Sequence, residues 1–428
     1  MSDPLRLGIA GLGTVGAGVV RILQENSTII SRRAGRDIRI SAVSARERTK
    51  PRGIDISGYA WEHDPVALAL RSDVDVHIEL IGGEAGAAKD SVEAAISTGK
   101  NVVTANKAML AVHGQKIAEL AELAGCVLRF EAAVAGGIPV IKALSESMAA
   151  DRIIRVMGVM NGTCNYILTR MEETGLAYGE IFREAESLGY LEADPNLDVG
   201  GIDAGHKLAL LTSIAFGTRV DFAGLEIEGI QKITIEDIEQ ARDMGFRIKL
   251  LGVARMTDDG MEQRMQPCLV PADSPIGQIK NATNIVVLEG AAAGQIFLRG
   301  AGAGEGPTAM AVLGDVVDIA RGRRISTFGQ PATSLQPSRP AQSAEVGPYY
   351  LRLLLEDRPG VLATVASALG DAGVSINRMR QYGHESEAAP VIIVTHRTTR
   401  NRINTAIEGI VGSGASLSDP VALRIEEL

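Results

Sequence analysis

The sequence predicts an α/β protein: a parallel, doubly wound sheet over residues 1–130, an α+β domain over 131–325, a linker at 326–348 and a small terminal α/β module over 349–428. Three observations carry this. First, short β-branched or apolar runs (Leu5–Ala10, Ile38–Val43, Val74–Ile81, Asn101–Thr104) alternate with helical stretches, which is the pattern of strands buried in a parallel sheet with helices on its faces. Second, beyond residue 130 glycine- and asparagine-rich turns separate longer segments, so the alternation ends. Third, Ser326–Pro348 is rich in Pro, Ser, Gln and Ala and has no sustained period. It sets off a strand at Tyr349–Leu355, a helix at Gly360–Ala372, strands at Val374–Arg380 and Pro390–Thr395, and a helix at Asn401–Val411.

Composition narrows the function classes. Of 428 residues, 46% are hydrophobic and 22% charged, the balance of a globular protein, and the net charge of −9 argues against a nucleic-acid or anionic-membrane partner. Cys126, Cys164 and Cys268 are far apart, odd in number and without CxxC spacing, so neither a disulfide framework nor a zinc site is expected. No apolar run reaches spanning length, and Met1 leads directly into Leu5–Ala10. A cytoplasmic protein without a membrane partner is the expectation.

The clearest chemical signal is Gly11-Leu-Gly13-Thr14-Val15-Gly16, directly after the first strand and before an apolar helix. Gly11 permits the tight turn, Gly13 admits a pyrophosphate to the backbone amides, and Gly16 allows close helix–strand packing. The positive helix end completes a Rossmann-type dinucleotide site, with Gly11, Gly13, Thr14, Val15 and Gly16 as its cofactor-binding set. The end of the second strand, Val43-Ser-Ala-Arg46-Glu47-Arg48-Thr-Lys50, offers mainly cations where an NAD site usually presents an acid. Arg46 and its neighbours would suit a 2′-phosphate, so NADP is expected, and Glu47 keeps NAD open. A solvated basic loop is the bland alternative.

Two further constellations lie past strands. Glu79-Leu-Ile-Gly82-Gly83 and Thr104-Ala-Asn106-Lys107 fall at the carboxyl edge of the sheet, where open α/β proteins bind ligands, which places Lys107 to meet substrate and makes it a cofactor-binding candidate; a surface lysine opening a helix is the equal alternative from position alone. The stretch from Gly189 through Glu192, Asp194 and Asp198 to Asp203, His206 and Lys207 crowds carboxylates into a proline-containing loop ahead of a helix. Such acids repel one another unless cations or an ammonium substrate neutralise them. Asp203 and Lys207 share a helix face; a surface salt bridge worth a few tenths of a kcal/mol is the alternative to a catalytic pair. His206 points elsewhere on the helix and reads as packing or surface.

These residues resemble a known family. GLGTVG, ELIGG, VVTANK, EAAVAGGIP, NGTCNYI, LGYLEADP, GIDAGHKLA and GAGEGPTA stand in the order and spacing of homoserine dehydrogenases, and Glu356-Asp-Arg-Pro-Gly360-Val-Leu with Gly373-Val-Ser-Ile-Asn377 resembles an ACT domain, a ferredoxin-like amino-acid-binding unit. The resemblance implies interconversion of L-homoserine and L-aspartate 4-semialdehyde with NAD(P)(H), in the branch leading to threonine and methionine. It implies Lys207 as general acid, Lys107 polarising the same region, Asp203 orienting Lys207 or anchoring the amino acid, and Gly189, Glu192 and Asp198 around the substrate ammonium. It also implies a late glycine-rich loop, with Gly302 and Gly304, closing on the cofactor. A sodium site formed by Glu131 and the backbone of Val134, Gly136 and Ile138 is implied as well. Threonine feedback through the ACT unit and a homo-oligomer, dimer or tetramer, complete the expectation. Two rivals remain: a phosphorylating semialdehyde dehydrogenase with Cys164 as nucleophile, and a catalytically silent amino-acid sensor.

Overall fold

The computed structural model describes residues 3–191, 194–341, 346–381 and 388–427. Its first unit runs β1 (Leu5–Ala10), α1 (Thr14–Ala34), β2 (Ile38–Ser44), β3 (Ala60–Glu62), α2 (Pro65–Leu70), β4 (Val76–Glu79), α3 (Ala87–Ser97), β5 (Asn101–Thr104), α4 (Lys107–Leu123) and β6 (Leu128–Arg129). The six strands are parallel in the order β3-β2-β1-β4-β5-β6, and the direction of winding reverses between β1 and β4. In such sheets the crevice at that reversal, beyond the carboxyl ends of the strands, is where ligands bind. Buried on both faces, β1 and β4 are almost wholly inaccessible.

The chain then passes through α5 (Val140–Lys142), β7 (Ile153–Val159), α6 (Gly162–Thr174), α7 (Tyr178–Ser187), α8 (Pro195–Val199), α9 (Ile202–Phe216), β8 (Glu226–Ile227), α10 (Ile235–Asp243), β9 (Phe246–Thr257), β10 (Gly260–Pro271), β11 (Thr283–Gly290), β12 (Gly294–Ala301) and α11 (Glu305–Ala320). Antiparallel pairing joins β12-β11-β7-β9-β10. Helix α9, IDAGHKLALLTSIAF, is apolar nearly all round and buried from Asp203 to Ser213, as a helix without a polar face must be. It lies close on the sheet because two glycines allow it. A Cβ on Gly252 would stand 2.6 Å from Met265 Cε and 3.3 Å from Leu208 Cδ2, and one on Gly205 would stand 2.9 Å from Ile227 Cδ1. The burial of this helix carries Asp203 and Lys207 inside.

Helix α11 returns to the first unit, and Ala309, Val312, Leu313 and Val316 join the core of the parallel sheet. Residues in the stretch read as a linker make specific contacts: Phe328 is buried against Phe130, Thr218 bridges to Gln336, and Met261 bridges to Pro340. The absence of period there reflects irregular packing over both the first unit, where Gln115 and Glu122 of α4 bond Ala332, and the central domain.

The terminal module consists of β13 (Tyr349–Glu356), α12 (Val361–Asp371), β14 (Ile376–Gln381), β15 (Ala388–Thr395), α13 (Arg400–Gly412) and β16 (Val421–Ile425). The sequence reading ends at α13; the structure adds β16, a five-residue apolar strand too short to carry a periodic signal. It is also the strand that matters most for architecture. It pairs with β13 on one side and, in parallel, with β10 on the other, so the central and terminal sheets are one ten-stranded sheet. The seam holds a buried charge cluster. Arg264 Nη2 donates to both oxygens of Glu426, at 3.1 and 2.9 Å, Arg264 Nε donates to Glu262, and Arg424 Nε lies 3.3 Å from Glu426.

Removing one partner of a buried ion pair leaves an uncompensated charge, typically costing about 3–5 kcal/mol. Glu426→Gln should therefore lower stability by an amount on that scale, read as an earlier midpoint in urea unfolding. An unchanged midpoint would show that the cluster adds nothing to the seam.

Candidate active site

The glycine turn has the geometry that its spacing predicts. Gly11 has φ +98, and a Cβ there would lie 2.5 Å from Leu80 O; on Gly16 it would lie 2.0 Å from Gly11 O. Around Gly13 nothing stands within 4 Å, so the approach to the backbone is open. Gly13 caps α1 without a side-chain hydrogen bond, which leaves the amides at Thr14 and Val15 in the first turn directed toward a ligand. The residues present therefore fit a dinucleotide. Arg46 and Arg48 are exposed on the loop after β2, beside this turn.

The neighbouring strand end is organised by a buried carboxylate. Glu79 Oε1 accepts the amides of Ile81 and Gly82 at 2.7 and 3.0 Å, and Oε2 accepts the Thr104 hydroxyl at 2.5 Å. Thr104 Oγ1 accepts the Asn106 amide, and Asn106 caps α4 by accepting from Met109 N while donating to Gly83 O. These bonds lock the loops after β4 and β5 together and fix Lys107 as the first residue of α4.

Lys107 Nζ meets Asp203 Oδ1 at 2.9 Å, and Lys207 Nζ meets Oδ2 of the same carboxylate at 2.6 Å while donating to Met160 O at 2.8 Å. Asp203 is 6% exposed and Lys207 8%, which excludes the surface salt bridge. Burial raises the Asp203 carboxyl, but the facing Lys207 and Lys107 ammonium groups and their hydrogen bonds outweigh it and hold the group well below the usual carboxylate range. One ionised carboxylate thus aligns two cations; Asp203 and Lys107 line a cleft of about 350 Å³ with Gly82, Asn106, Leu197 and His206 among others, and the buried Lys207 stands behind Asp203, outside that lining. His206 is buried, its ring centroid 4.3 Å from that of Phe222, and burial lowers its pKa. It packs, as the sequence reading has it, though at the cleft.

The acidic loop is represented by three of the singled-out positions. Gly189 makes a turn at φ +72, Asp194 caps α8 through Asn196 N, and Asp198 is buried, accepting from Asn161 Nδ2 at 2.9 Å. Glu192 lies outside the described residues. Asn161 was not singled out by sequence, yet its amide also donates to Asp203 Oδ2 at 3.2 Å and so joins Asp198 to the lysine cluster. Its signal was the Asn-Gly-Thr-Cys turn, where Asn161 caps α6 by accepting from Cys164 N.

Glu131 is buried, its two oxygens accepting from the amides of Ile141 and Lys142 at 2.9 Å each. Burial and the adjacent Asp315 push its carboxyl up to about 7. The turn that follows, with Val134, Gly136 and Ile138, has positive φ at Ala135 and Gly136 and interlocks with the late glycine loop: a Cβ on Gly136 would stand 2.6 Å from Gly302 O, and Gly137 N donates to Ala301 O. Gly304, at φ +115, opens α11, whose Glu305 packs on Gly18 and reaches Arg21 at 3.3 Å. The late loop is therefore seated between the Glu131 turn and α1.

Comparison with known proteins agrees with this geometry. The family model for the NAD-binding domain of homoserine dehydrogenase matches residues 11–131, the homoserine dehydrogenase model matches 139–317, and the ACT model matches 349–410. The homoserine dehydrogenase of Neisseria gonorrhoeae is 42% identical and that of Pseudomonas aeruginosa 43% identical, each over 99% of both chains. The chain belongs to the homoserine dehydrogenase family. A crystal structure of a homoserine dehydrogenase from Thiobacillus denitrificans superposes with a TM-score of 0.93 at 40% identity, covering 99% of both chains. As a member of this family the chain is an NAD(P)-dependent oxidoreductase with a C-terminal ACT domain. No helix among the described residues is long and apolar enough to cross a membrane.

Cys164 offers no nucleophile. It is fully buried, its thiol donates to Asp198 O at 3.3 Å, and burial, Asp198 and Asp203 push its pKa well up. Cys268 is likewise buried, and Cys126 is partly exposed. Native alkylation should label Cys126 and spare the other two, and Cys164→Ser should retain turnover without any phosphate requirement. Labelling of Cys164 in the folded protein, or a phosphate-dependent rate, would restore the thiol mechanism.

Proposed function

We propose that this enzyme interconverts L-homoserine and L-aspartate 4-semialdehyde, preferring NADP(H), in the branch that leads to threonine and methionine. The observation that carries the reading is the buried Asp203 carboxylate shared by Lys107 and Lys207 at the carboxyl edge of the dinucleotide-binding sheet. When bound, the nicotinamide supplies or accepts the hydride. The chain's own residues manage the proton and the amino-acid end. Lys207 Nζ gives a proton to the aldehyde oxygen in reduction and takes it from the hydroxyl in oxidation, oriented by Asp203 and Met160 O. Lys107 adds positive charge where the alkoxide develops. Glu192, Asp198 and the backbone at Gly189 receive the substrate ammonium.

The Glu131 turn is read as a monovalent-cation site in a structural role: burial and the adjacent Asp315 raise the Glu131 carboxyl, and Lys142, whose Nζ lies 3.4 Å from Asp315, offsets them only in part. Sodium, with backbone oxygens of Val134, Gly136 and Ile138, would supply the remaining positive charge. Calorimetric titration of sodium into sodium-free protein checks it: no heat and no change in melting would sink the assignment. Self-association is supported by the open edges of the long sheet, β12 with Phe297 43% exposed and β14 with an exposed face; light scattering decides between monomer and oligomer.

General acid catalysis typically contributes 10²–10⁴-fold, so Lys207→Ala should lower kcat by about that factor with cofactor affinity nearly intact. Glu192→Ala should instead mainly raise KM for homoserine. Near-normal turnover in the Lys207 variant would move the proton transfer to Lys107 or to water.

For regulation, the ACT domain supports feedback by an amino acid, and the proposed effector is L-threonine. Initial rates on the full chain should fall as L-threonine is added, and at saturation should not be restored by more homoserine. Rates indifferent to threonine, with inhibition by another amino acid, would change the effector and keep the domain's role.

A further inference from the structure

The loop after β2 is held by a residue to which neither the sequence motifs nor the family comparison gives a role. Arg52 Nε donates to Leu12 O at 3.0 Å, inside the glycine turn; its Nη1 donates to Arg48 O and Lys50 O at 3.4 and 2.8 Å, and its Nη2 to Glu47 O at 2.5 Å. One planar guanidinium therefore gathers four carbonyls from two segments, a task matched to its fixed fork of donors and unsuited to a lysine ammonium. Three of those carbonyls belong to the loop, whose backbone turns its oxygens toward Arg52. The fourth belongs to the turn whose amides fit a pyrophosphate. Trp61 of β3 completes the arrangement, with the guanidinium carbons of Arg48 and Arg52 at 5.9 and 6.0 Å from its ring centroid. The loop is thus tied at both ends: to the dinucleotide turn through Leu12, and to the strand beside β2 through the tryptophan.

We propose that Arg52 is a positioning residue that sets cofactor selectivity, by fixing the loop carrying Arg46, Arg48 and Lys50 at the ribose 2′ position. This rests on the reading of that loop as the adenosine-ribose site. A flexible loop with the same cations would attract a 2′-phosphate only diffusely, because ordering mobile backbone and long side chains around it costs conformational entropy that offsets the exposed ion pairs. Pinned to the turn that receives the pyrophosphate, those cations stand at a set distance from it, and discrimination becomes geometric. Arg52 spends its donors on the backbone, so its part is to hold the others in place.

The test uses fragments that separate the 2′-phosphate from the rest of the dinucleotide. The full-length protein and its Arg52→Gln and Arg52→Lys variants are titrated calorimetrically with 2′,5′-ADP and with 5′-AMP, and the emission of Trp61, the sole tryptophan, is followed in the same samples. The ratio of the two dissociation constants should fall by at least about tenfold in Arg52→Gln, a change worth one well-made interaction, with Arg52→Lys between it and the unmodified protein. The Trp61 emission change on adding 2′,5′-ADP should shrink in parallel. An Arg52→Gln protein that keeps the ratio overturns the proposal, as does one that loses affinity for both fragments in proportion, since that is the mark of a merely structural role. An unmodified protein that prefers 5′-AMP would instead refute the NADP reading. The role of Arg52 is judged on the change in ratio alone.

Discussion

Everything at the centre of this enzyme depends on one buried carboxylate facing two ammonium groups. Asp203 lies in a place that water barely reaches, and an ionised acid there is tolerable only because Lys107 and Lys207 each meet one of its oxygens and Asn161 adds a third donor. The three charged groups come from two packing units: Lys107 from the helix after β5, Asp203 and Lys207 from the buried helix of the central domain. The attraction that makes burial affordable therefore also holds the dinucleotide sheet against the central sheet at the cleft. Much of the surrounding architecture serves that meeting. Glu79 and Asn106 fix where α4 begins, and the glycines at 205 and 252 let α9 lie deep enough to bring its polar end to the cleft.

The parts of this arrangement visible in the sequence are those made by short-range rules. The GLGTVG turn declares itself because each glycine answers a local demand: a positive φ at Gly11 and a helix–strand contact at Gly16 that no side chain would permit. Lys207 and Asp203 are legible as a pair from their spacing. Their burial is not, since the same spacing serves an exposed salt bridge; only the apolar remainder of α9 separates the two cases. Asn161 was missed because a capping asparagine has a sufficient local reason to exist. Its bridging of Asp198 to Asp203 is a long-range contact with no periodic trace. Arg52 was missed for a related reason: among the cations of its loop only geometry reveals that its donors go to backbone carbonyls.

At the larger scale, the three-part division follows from composition, while the joining of the central and terminal sheets does not. A strand of five residues after a glycine-containing turn gives too little pattern to be recognised, and the choice of β10 as its partner is a tertiary event. Likewise the residues from 327 to 341 lack period because they follow the contours of the two units they cross, with Phe328 inserted against Phe130 of the first and Gln336 bridged to Thr218 of the central domain.

The pairing of β10 with β16 has a mechanical meaning. It is registered over only two residue pairs, Cys268 with Arg424 and Leu269 with Ile425, and is reinforced by the amide of Glu426 donating to Leu269 O and by the buried arginine–glutamate cluster. Sheets are stiff along their strands and hard to bend locally, so a continuous sheet transmits a tilt of one half to the other as a lever does. A short join is also the row at which such a sheet would tear first under load. Met265 of β10 and Leu208 of α9, five residues along the helix from Asp203, both close on Gly252 and belong to one core cluster. The strand that carries this short join thus runs beneath the helix that holds Asp203 and Lys207.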